Sequence, residues 1–296
     1  MNLALFANLR TTGRRTAPGV RAVAQHMADI GIRPTVLAAR HLSQLSGLIS
    51  KLRPERFDAI ACLGGDGTHF HVLSGLIRRF GIEALPPVAV IPMGRGNSFA
   101  RDLNLISAAD TVRALAAGKI RRVDLCRFSC NGSDAVFTNL MGIGFVTDAA
   151  ATAARFSRAG DLSYVIGVFY RMLSMRPQQV RLEIDGRDFS GPFCFLEFCN
   201  SRYTGGSMLM APDARLDDEA FDAVLVGPMT SIQLLRAFPL IYRGTHLANR
   251  AVRVIRGKTA RISSASPLGL LPDGELFGTT PVDIQVLPRC VRYFTR

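Results

Sequence analysis

Two glycine-rich segments in the first third of the chain have the composition of phosphate-binding loops. Residues 64–68 (GGDGT) follow the strand-like run 58–63, and residues 92–97 (PMGRGN) follow the apolar run 88–91. Glycines after a strand let backbone amides approach a polyphosphate, and the N-terminus of the following helix favours anionic groups. Asp66 in the first segment would repel phosphate unless Mg2+ lay between its carboxylate and the phosphates. The alternative is a tight turn in which this aspartate caps a helix.

The second segment also offers a cation. Arg95 carries a planar guanidinium that can pair with phosphate oxygens. A Gly-x-Gly turn before a helix is often only a loop. Here the two segments follow neighbouring strands, so we expect them to face each other.

Carboxylates cluster at two places in the second half of the chain. Residues 213–219 hold Asp213, Asp217, Asp218 and Glu219 in an otherwise basic protein. Such oxygen ligands in a loop suit Mg2+ or Ca2+, and a solvated acidic turn is the alternative. Residues 273–275 (DGE) form a turn with two carboxylates, which is either a plain hairpin tip or the source of a general base for a hydroxyl nucleophile.

The elements that position these residues change along the chain. In the first 120 or so residues, strand-like runs alternate with helical spacing, which predicts a parallel sheet covered on both faces. Ligands of such sheets bind at the carboxyl ends of the strands, where both glycine segments lie. From about residue 123 strand-like runs dominate, and Asp185-Gly186 indicates a hairpin turn. Helical patterns intervene at 147–156, 162–175 and 231–242, so we expect a mainly antiparallel β domain with a few helices.

Composition and net charge limit the classes of protein to which this chain can belong. The 296 residues include 36 Lys+Arg and 23 Asp+Glu, a net charge of +13, and 48% are hydrophobic. This apolar content excludes a disordered chain, and the length suits two domains. The charge indicates nucleic acid, a membrane surface or a phosphorylated ligand as partner. Residues 223–272 contain seven cations and no Asp or Glu, which favours attraction to anionic lipids over scattered solvated arginines.

The sequence also indicates a compartment. The N-terminal apolar run 3–7 is too short for a signal peptide, and no uninterrupted run approaches the ~18 residues of a membrane span. The six cysteines form no C-x-x-C pair. We interpret them as reduced core thiols of a cytoplasmic protein.

Taken in order, these motifs resemble the diacylglycerol-kinase catalytic-domain family of lipid kinases, which includes soluble bacterial diacylglycerol kinases and the sphingosine and ceramide kinases. Residues 8–14 are similar to the family's opening nucleotide segment, 64–68 to its GGDGT signature and 92–101 to its second loop. Further matches lie at 139–145, 200–222 and 273–275. NAD kinases and phosphofructokinases also have a GGDGT loop. The acidic segment 213–219 and the DGE turn 273–275 are therefore the motifs that favour the diacylglycerol-kinase family over these two families.

The resemblance implies a fold with two domains. Residues 1–122 would form a nucleotide-binding α/β domain like those of NAD kinases and diacylglycerol kinases, with about 288–296 packing back on it. Residues 123–287 would form a β-sandwich domain for the lipid substrate. The active site is expected in the cleft.

The resemblance also implies residue roles. Glu275 would take the proton of the lipid hydroxyl, Asp273 would help to place metal or base, and Asp66 would act with ATP and its Mg2+. A structural Mg2+ is implied at Asp218 and the backbone carbonyls of Leu216, Glu219 and Phe221. The residues expected to bind ATP are Asn8, Thr12, Gly13, Arg14, Gly64, Gly65, Asp66, Gly67, Thr68, Gly94, Arg95 and Asn97.

The chain departs from the family's pattern at a few motif positions: Leu9 (for proline), His71 (for an acid), Arg95 (for threonine), Ser98 (for aspartate) and Glu219 (for glycine). The first-loop aspartate and both DGE carboxylates are kept, so we expect an active enzyme.

The expected function is ATP-dependent phosphorylation of a hydroxyl on diacylglycerol, ceramide or a sphingoid base. The expected partners are a lipid substrate at a membrane surface and anionic phospholipids, without nucleic acid, and a homodimer is left open. The expected location is the cytoplasm, in peripheral association with the inner face of the membrane. The alternatives are an NAD kinase-like enzyme with a soluble substrate, and a catalytically silent basic module that binds membranes.

Overall fold

The computed structural model describes residues 1–9, 16–94, 96–144, 147 and 175–296. The chain divides into two compact units, Met1–Asp124 with Arg289–Arg296, and Leu125–Pro288. The boundary expected after residue 122 lies two residues before this division. In the described part of the chain, no helix is long and apolar enough to cross a membrane.

The first unit is built on parallel strands in the order β2-β1-β3-β4. Beyond β4 lies the end of the last strand, β18 (Val282–Phe294), where Tyr293 pairs in parallel with Val88. The other elements of this unit are β1 (Asn2–Asn8), α1 (Thr16–Asp29), β2 (Arg33–Ala39), α2 (Ser43–Ser50), a 3-10 turn (Pro54–Arg56), β3 (Ala59–Gly64), α3 (Asp66–Phe80), β4 (Val88–Pro92), α4 (Ser98–Asp102), α5 (Ala108–Ala117) and the start of β5 (Ile120–Cys130).

Burial explains why the central strands of this unit read as continuous apolar runs. All six residues of β3 are buried, as expected for a parallel strand that is covered on both faces. In the register of β3 and β4, Gly64 is paired with Pro92. The two strands therefore end side by side, and both glycine segments leave the sheet at the same edge.

The described part of the second unit contains two larger antiparallel sheets and the two-stranded pair β12–β13. One has the order β15-β14-β11-β7-β17, and the other joins β10, β8, β16 and the first part of β18. The further elements are β6 (Ser133–Phe137), β7 (Leu140–Gly144), β8 (Gln178–Ile184), β9 (Arg187–Asp188), β10 (Gly191–Phe193), β11 (Phe195–Cys199), β12 (Tyr203–Thr204), β13 (Met208–Leu209), β14 (Phe221–Val226), α6 (Ser231–Ala237), two 3-10 turns (Phe238–Arg243 and Thr245–Ala248), β15 (Val252–Gly257), β16 (Thr259–Ser264) and β17 (Leu270–Pro272). Nearly all of the helical patterns expected at 147–156 and 162–175 lie outside the described residues.

The core of the second unit shows the alternation that half-buried strands require. In β8, Val180, Leu182 and Ile184 are buried while the intervening residues are exposed. A methionine-rich cluster, which includes Met208, Met210 and Met229, is buried beneath α6. All six cysteines are free thiols and five are buried, as the absence of paired spacing indicated.

Candidate active site

The first glycine segment forms the turn from β3 into α3. Gly65 is the N-cap of α3, and no side chain caps this helix end among the described residues. The first amides of a helix have no partner within the helix. Because no described side chain caps the N-terminus of α3, this end of the helix favours an anionic ligand. Asn8 at the end of β1 lies beside the turn, and its Nδ2 donates to Thr68 Oγ1 at 3.2 Å.

The two glycine segments touch each other. A Cβ added to Gly94 would lie 2.3 Å from the Cα of Gly65, and one added to Gly65 would lie 3.1 Å from the Cα of Gly94. The Met93 amide donates to the Gly64 carbonyl at 3.0 Å. Such close approach of two backbones needs residues without side chains at the contact. The expectation that the two segments face each other is confirmed.

Asp66 links the segments through hydrogen bonds. Its Oδ2 accepts from the Ser98 amide at 2.9 Å and its Oδ1 from the Phe99 amide at 3.2 Å. The aspartate therefore caps a helix, but the helix is α4 of the second segment and not its own. Desolvation raises the pKa of the Asp66 carboxyl although the residue keeps some exposed surface, and the two amide bonds oppose that rise.

Asn97 shapes the second segment locally. Its Oδ1 accepts from the Gly94 amide at 2.9 Å and its Nδ2 donates to the Gly94 carbonyl at 2.7 Å. The backbone at Asn97 is left-handed, with φ of 54°, a conformation that asparagine tolerates better than most residues. Four of the residues expected to bind ATP lie outside the described residues: Thr12, Gly13, Arg14 and Arg95.

In the second unit, Asp273 fixes the DGE turn. The residue is 4% exposed. Its Oδ2 accepts from the amide and the hydroxyl of Thr138, at 3.0 and 3.1 Å, and its Oδ1 from the amides of Asn139 and Leu140, at 2.9 and 3.2 Å. With four donors on its two oxygens, this carboxylate positions the turn. A metal would have to compete with those bonds.

The scaffold beneath Asp273 extends to the end of β11. Asn200 is fully buried, its amide donates to the Asn139 carbonyl at 2.9 Å, and its Nδ2 donates to the Thr138 carbonyl at 2.8 Å. The Ser201 hydroxyl donates to Asn139 Oδ1. Asn139 and Asn200 were predicted only as positions of the family's motifs, without a role. No motif in the sequence includes Thr138, so its contact with Asp273 was not predicted.

Glu275 lies two residues beyond this anchor. Its amide donates to the Pro272 carbonyl at 2.8 Å, which closes the turn, and Gly274 between the two carboxylates has φ of 85°. Glu275 is half-buried, whereas Asp273 is buried. The turn thus separates two adjacent acids into one that is held by the scaffold and one that keeps access to solvent.

The acidic segment 213–219 is partly neutralised by cations of β15 and the residue that follows it. Asp218 Oδ2 lies 2.7 Å from Arg256 Nη2, and Glu219 Oε2 lies 3.5 Å from Lys258 Nζ. Glu219, which stands where the family motif has glycine, has φ of 65°, in the left-handed region that glycine adopts most readily. Residues 1–9, 16–94, 96–144, 147 and 175–296 contain no group of three His, Cys, Asp or Glu side chains placed as metal ligands. The site implied at Asp218 uses one side chain and three carbonyls, so it stays a prediction.

Two family models match successive parts of the chain. The family model described as diacylglycerol kinase catalytic domain matches residues 2–128. The model described as YegS C-terminal NAD kinase beta sandwich-like domain matches residues 140–295. A diacylglycerol kinase from Staphylococcus aureus is 30% identical over 248 residues, which are 81% of this chain and 75% of the relative.

Solved structures share the fold. A diacylglycerol kinase from Bacillus anthracis has a TM-score of 0.79 at 22% identity, covering 100% of this chain and 97% of that one. An NAD kinase from Archaeoglobus fulgidus in complex with ATP has a TM-score of 0.53 at 15% identity, covering 100% and 94%.

An α/β unit with paired glycine segments, joined to an antiparallel β sandwich, places the chain in the structural class that holds diacylglycerol kinases and NAD kinases. Within that class the chain belongs to the diacylglycerol kinase family, and it is therefore a lipid kinase. The predicted fold class and the predicted family are confirmed.

Proposed function

We propose that this enzyme transfers the γ-phosphate of ATP to a hydroxyl group of a membrane lipid, with diacylglycerol first among the candidates and ceramide and sphingoid bases after it. The observation that carries the proposal is the DGE turn of a lipid-kinase family member. In this turn, four hydrogen bonds hold the buried side chain of Asp273, while the side chain of Glu275 stays partly exposed to solvent.

Glu275 is the residue we assign as general base. It accepts the proton of the lipid hydroxyl as that oxygen bonds to the γ-phosphorus of ATP and the bond from phosphorus to the β,γ-bridging oxygen breaks, which releases ADP. This is the task that a positioned carboxylate performs in such transfers. The Asp273 anchor keeps the turn in one geometry, so the base does not have to be ordered at the moment of reaction.

ATP is assigned to the paired glycine segments. The uncapped N-terminus of α3 supplies amides toward the phosphates, and the Gly65–Gly94 contact keeps side chains out of the junction. The NAD kinase structure that shares this fold was solved in complex with ATP, which supports ATP as the nucleotide. Mg2+ bound with ATP would neutralise charge on the triphosphate, and the partly exposed carboxylate of Asp66 is the group in the first segment with the chemistry to hold it.

A lipid substrate requires the enzyme to reach a bilayer. With a net charge of +13 and the acid-free stretch 223–272, we propose peripheral association with anionic phospholipids at the inner face of the cytoplasmic membrane.

The test is transfer of labelled phosphate from ATP to a panel of diacylglycerol, ceramide and sphingoid base in neutral detergent micelles, with NAD as a soluble control. Glu275→Gln keeps the size of the side chain but cannot accept the proton, and we expect turnover to fall about 100- to 10,000-fold. Asp66→Asn should also remove transfer, because an amide nitrogen would face the Ser98 or Phe99 amide.

Glu83→Gln is the matched control, because Glu83 is exposed and follows the C-terminal end of α3, the end opposite the first glycine segment. It should keep full activity, and Glu275→Gln and Glu83→Gln should melt near the wild-type temperature because neither side chain is buried. Asp66→Asn should melt lower, because one of the two amide hydrogen bonds to this side chain is lost. Full activity of Glu275→Gln would contradict the assigned base. Phosphorylation of NAD and of no lipid would contradict the proposed substrate class.

A further inference from the structure

The helical segment that follows β14 has a well-ordered inner face. Thr230 begins α6 with a capping box, in which its side chain accepts from the Gln233 amide and the Gln233 side chain accepts from the Thr230 amide. Leu234, Ala237 and Ile241 are buried in the methionine-rich cluster. The packing of these three side chains fixes which residues of the segment face outward.

The outward residues include large apolar side chains. Ile232 is 62% exposed, Leu240 42% and Tyr242 49%. Packing among the described residues leaves large parts of these three side chains uncovered, and exposed apolar side chains grouped in one short segment commonly mark a contact surface.

The structure separates the seven cations of the stretch 223–272 into two groups. Three form ion pairs, Arg256 with Asp218, Lys258 with Glu219 and Arg261 with Asp283, at 2.7, 3.5 and 3.5 Å. A fourth, Arg253, has its guanidinium carbon 5.7 Å from the centre of the Phe189 ring.

The remaining three cations are Arg236, Arg243 and Arg250. All are exposed, and within the described residues none has a carboxylate at ion-pair distance. In α6, Arg236 lies four residues after Ile232, a spacing that places the two side chains on the same face of the helix. In the following 3-10 turn, Arg243 lies three residues after Leu240, which aligns these side chains in the same way. Each of the two arginines therefore lies beside an exposed apolar side chain.

We propose that residues 231–250 form the surface by which this enzyme docks on an anionic lipid bilayer. We call it the 231–250 surface. The inference rests on the proposed lipid substrate and goes beyond it by naming the surface. Apolar and aromatic side chains enter the headgroup boundary while neighbouring arginines meet anionic headgroups, which is how interfacial amphipathic helices bind.

Charge favours a bilayer over a second copy of this chain as the occupant. A symmetric contact would place the 231–250 surface of one copy against the same surface of the other. Three arginines without carboxylates in the segment would then face three arginines, and like charges across an interface are unfavourable. An anionic leaflet supplies the opposite charge.

The experiment is cosedimentation of the full chain with vesicles of phosphatidylcholine alone or with about 30% phosphatidylglycerol. The variant Arg236→Gln/Arg243→Gln/Arg250→Gln is compared with Arg33→Gln/Arg53→Gln/Arg56→Gln, which removes the same charge from exposed positions of the first unit. Each cation near an anionic surface is worth about fivefold in binding. We expect the first variant to lose on the order of 100-fold in affinity for anionic vesicles and the control to lose far less.

A second variant tests the apolar part. Ile232→Ser/Leu240→Ser/Tyr242→Ser should reduce binding also at about 1 M salt, where headgroup attraction is screened. Both segment variants should keep the wild-type circular dichroism and melting temperature, since these side chains are exposed.

Three results would overturn the proposal. Equal losses in the two arginine variants would show attraction by net charge alone. Unchanged binding of the serine variant would remove the apolar contact. A wild-type dimer in light scattering that becomes a monomer in either segment variant would show that a second copy covers the surface. Vesicle binding is measured without turnover, so these failures differ from a failure of the wild type to phosphorylate lipid in micelles.

Discussion

Glu197 is an acid in the middle of a core strand, and its environment makes stability depend on pH. It lies in β11, is 3% exposed, and burial raises the pKa of its carboxyl from an ordinary 4.5 to about 8. Above pH 4.5 the unfolded chain releases this proton while the folded chain keeps it. The free energy of unfolding should therefore fall as pH rises to about 8, by at most about 1.4 kcal/mol per pH unit.

Glu197→Gln should remove that pH dependence, because glutamine resembles the protonated acid and does not titrate. We expect the variant to match the wild type near pH 4.5 and to be more stable at pH 8. Denaturant unfolding at several pH values measures this. Glu183→Gln, at an exposed position of β8, should leave the wild-type slope unchanged. A Glu197→Gln profile parallel to the wild type would contradict the raised pKa.

Glu219 occupies a backbone conformation that suits glycine. Its φ is 65°, and a residue with a Cβ loses about 1 kcal/mol there. We expect Glu219→Gly to be more stable than Glu219→Ala by about that amount. Both variants remove the exposed pair with Lys258, so the pair cancels in the comparison, and thermal unfolding measures the difference. Equal stability of the two variants would show that the turn relaxes without strain.

Among the elements, apolar runs in the sequence predicted the central strands of the first unit. The runs expected at 3–7, 58–63 and 88–91 correspond to β1, β3 and β4, because strands covered on both faces must be continuously apolar. The hairpin at Asp185-Gly186 is confirmed, with both residues at positive φ. Strand β2 was not predicted, since it lies at the sheet edge and most of its residues keep exposed surface.

The contact of the two glycine segments gives a prediction about elements. Gly94→Ala places a Cβ 2.3 Å from Gly65 Cα, so the turns after β3 and β4 must separate. We expect weaker ATP binding and at least a tenfold loss of lipid phosphorylation, since displacement of about 1 Å commonly costs about 100-fold in rate. Calorimetric titration with ATP and the micelle assay measure both effects.

Gly47→Ala is the control for that substitution. Gly47 lies inside α2, and a Cβ there would meet no atom within 4 Å. Alanine should stabilise this helix by about 0.5–1 kcal/mol and leave ATP binding unchanged. If Gly94→Ala bound ATP as tightly as Gly47→Ala, the paired segments would not be the nucleotide site.

At the scale of the whole chain, the motifs located the candidate site, but the partners that hold it come from distant parts of the sequence. Asp66 is 32 residues from Ser98, and Asp273 is 135 residues from Thr138. Two of the donors at Asp66 are the backbone amides of Ser98 and Phe99, and every residue except proline carries such an amide. No side-chain pattern could therefore mark them.

The end of the chain belongs to the first unit, and this predicts how the unit fails when those residues are removed. Tyr293 is fully buried and its hydroxyl lies 2.9 Å from His69 Nε2, while Phe294 is 3% exposed. Removing a buried aromatic side chain lowers the free energy of unfolding by about 3–5 kcal/mol. Removing two of them lowers it by an amount that approaches the ~5–15 kcal/mol that stabilises a typical domain.

A chain ending at Pro288 should therefore lose amide protection in β1 and β3, measured by hydrogen exchange with mass spectrometry. A chain lacking only the exposed Arg296 should keep it, because that residue contributes a partly exposed pair with Asp110. Equal protection in the two chains would mean that the last strand does not complete the sheet of the first unit.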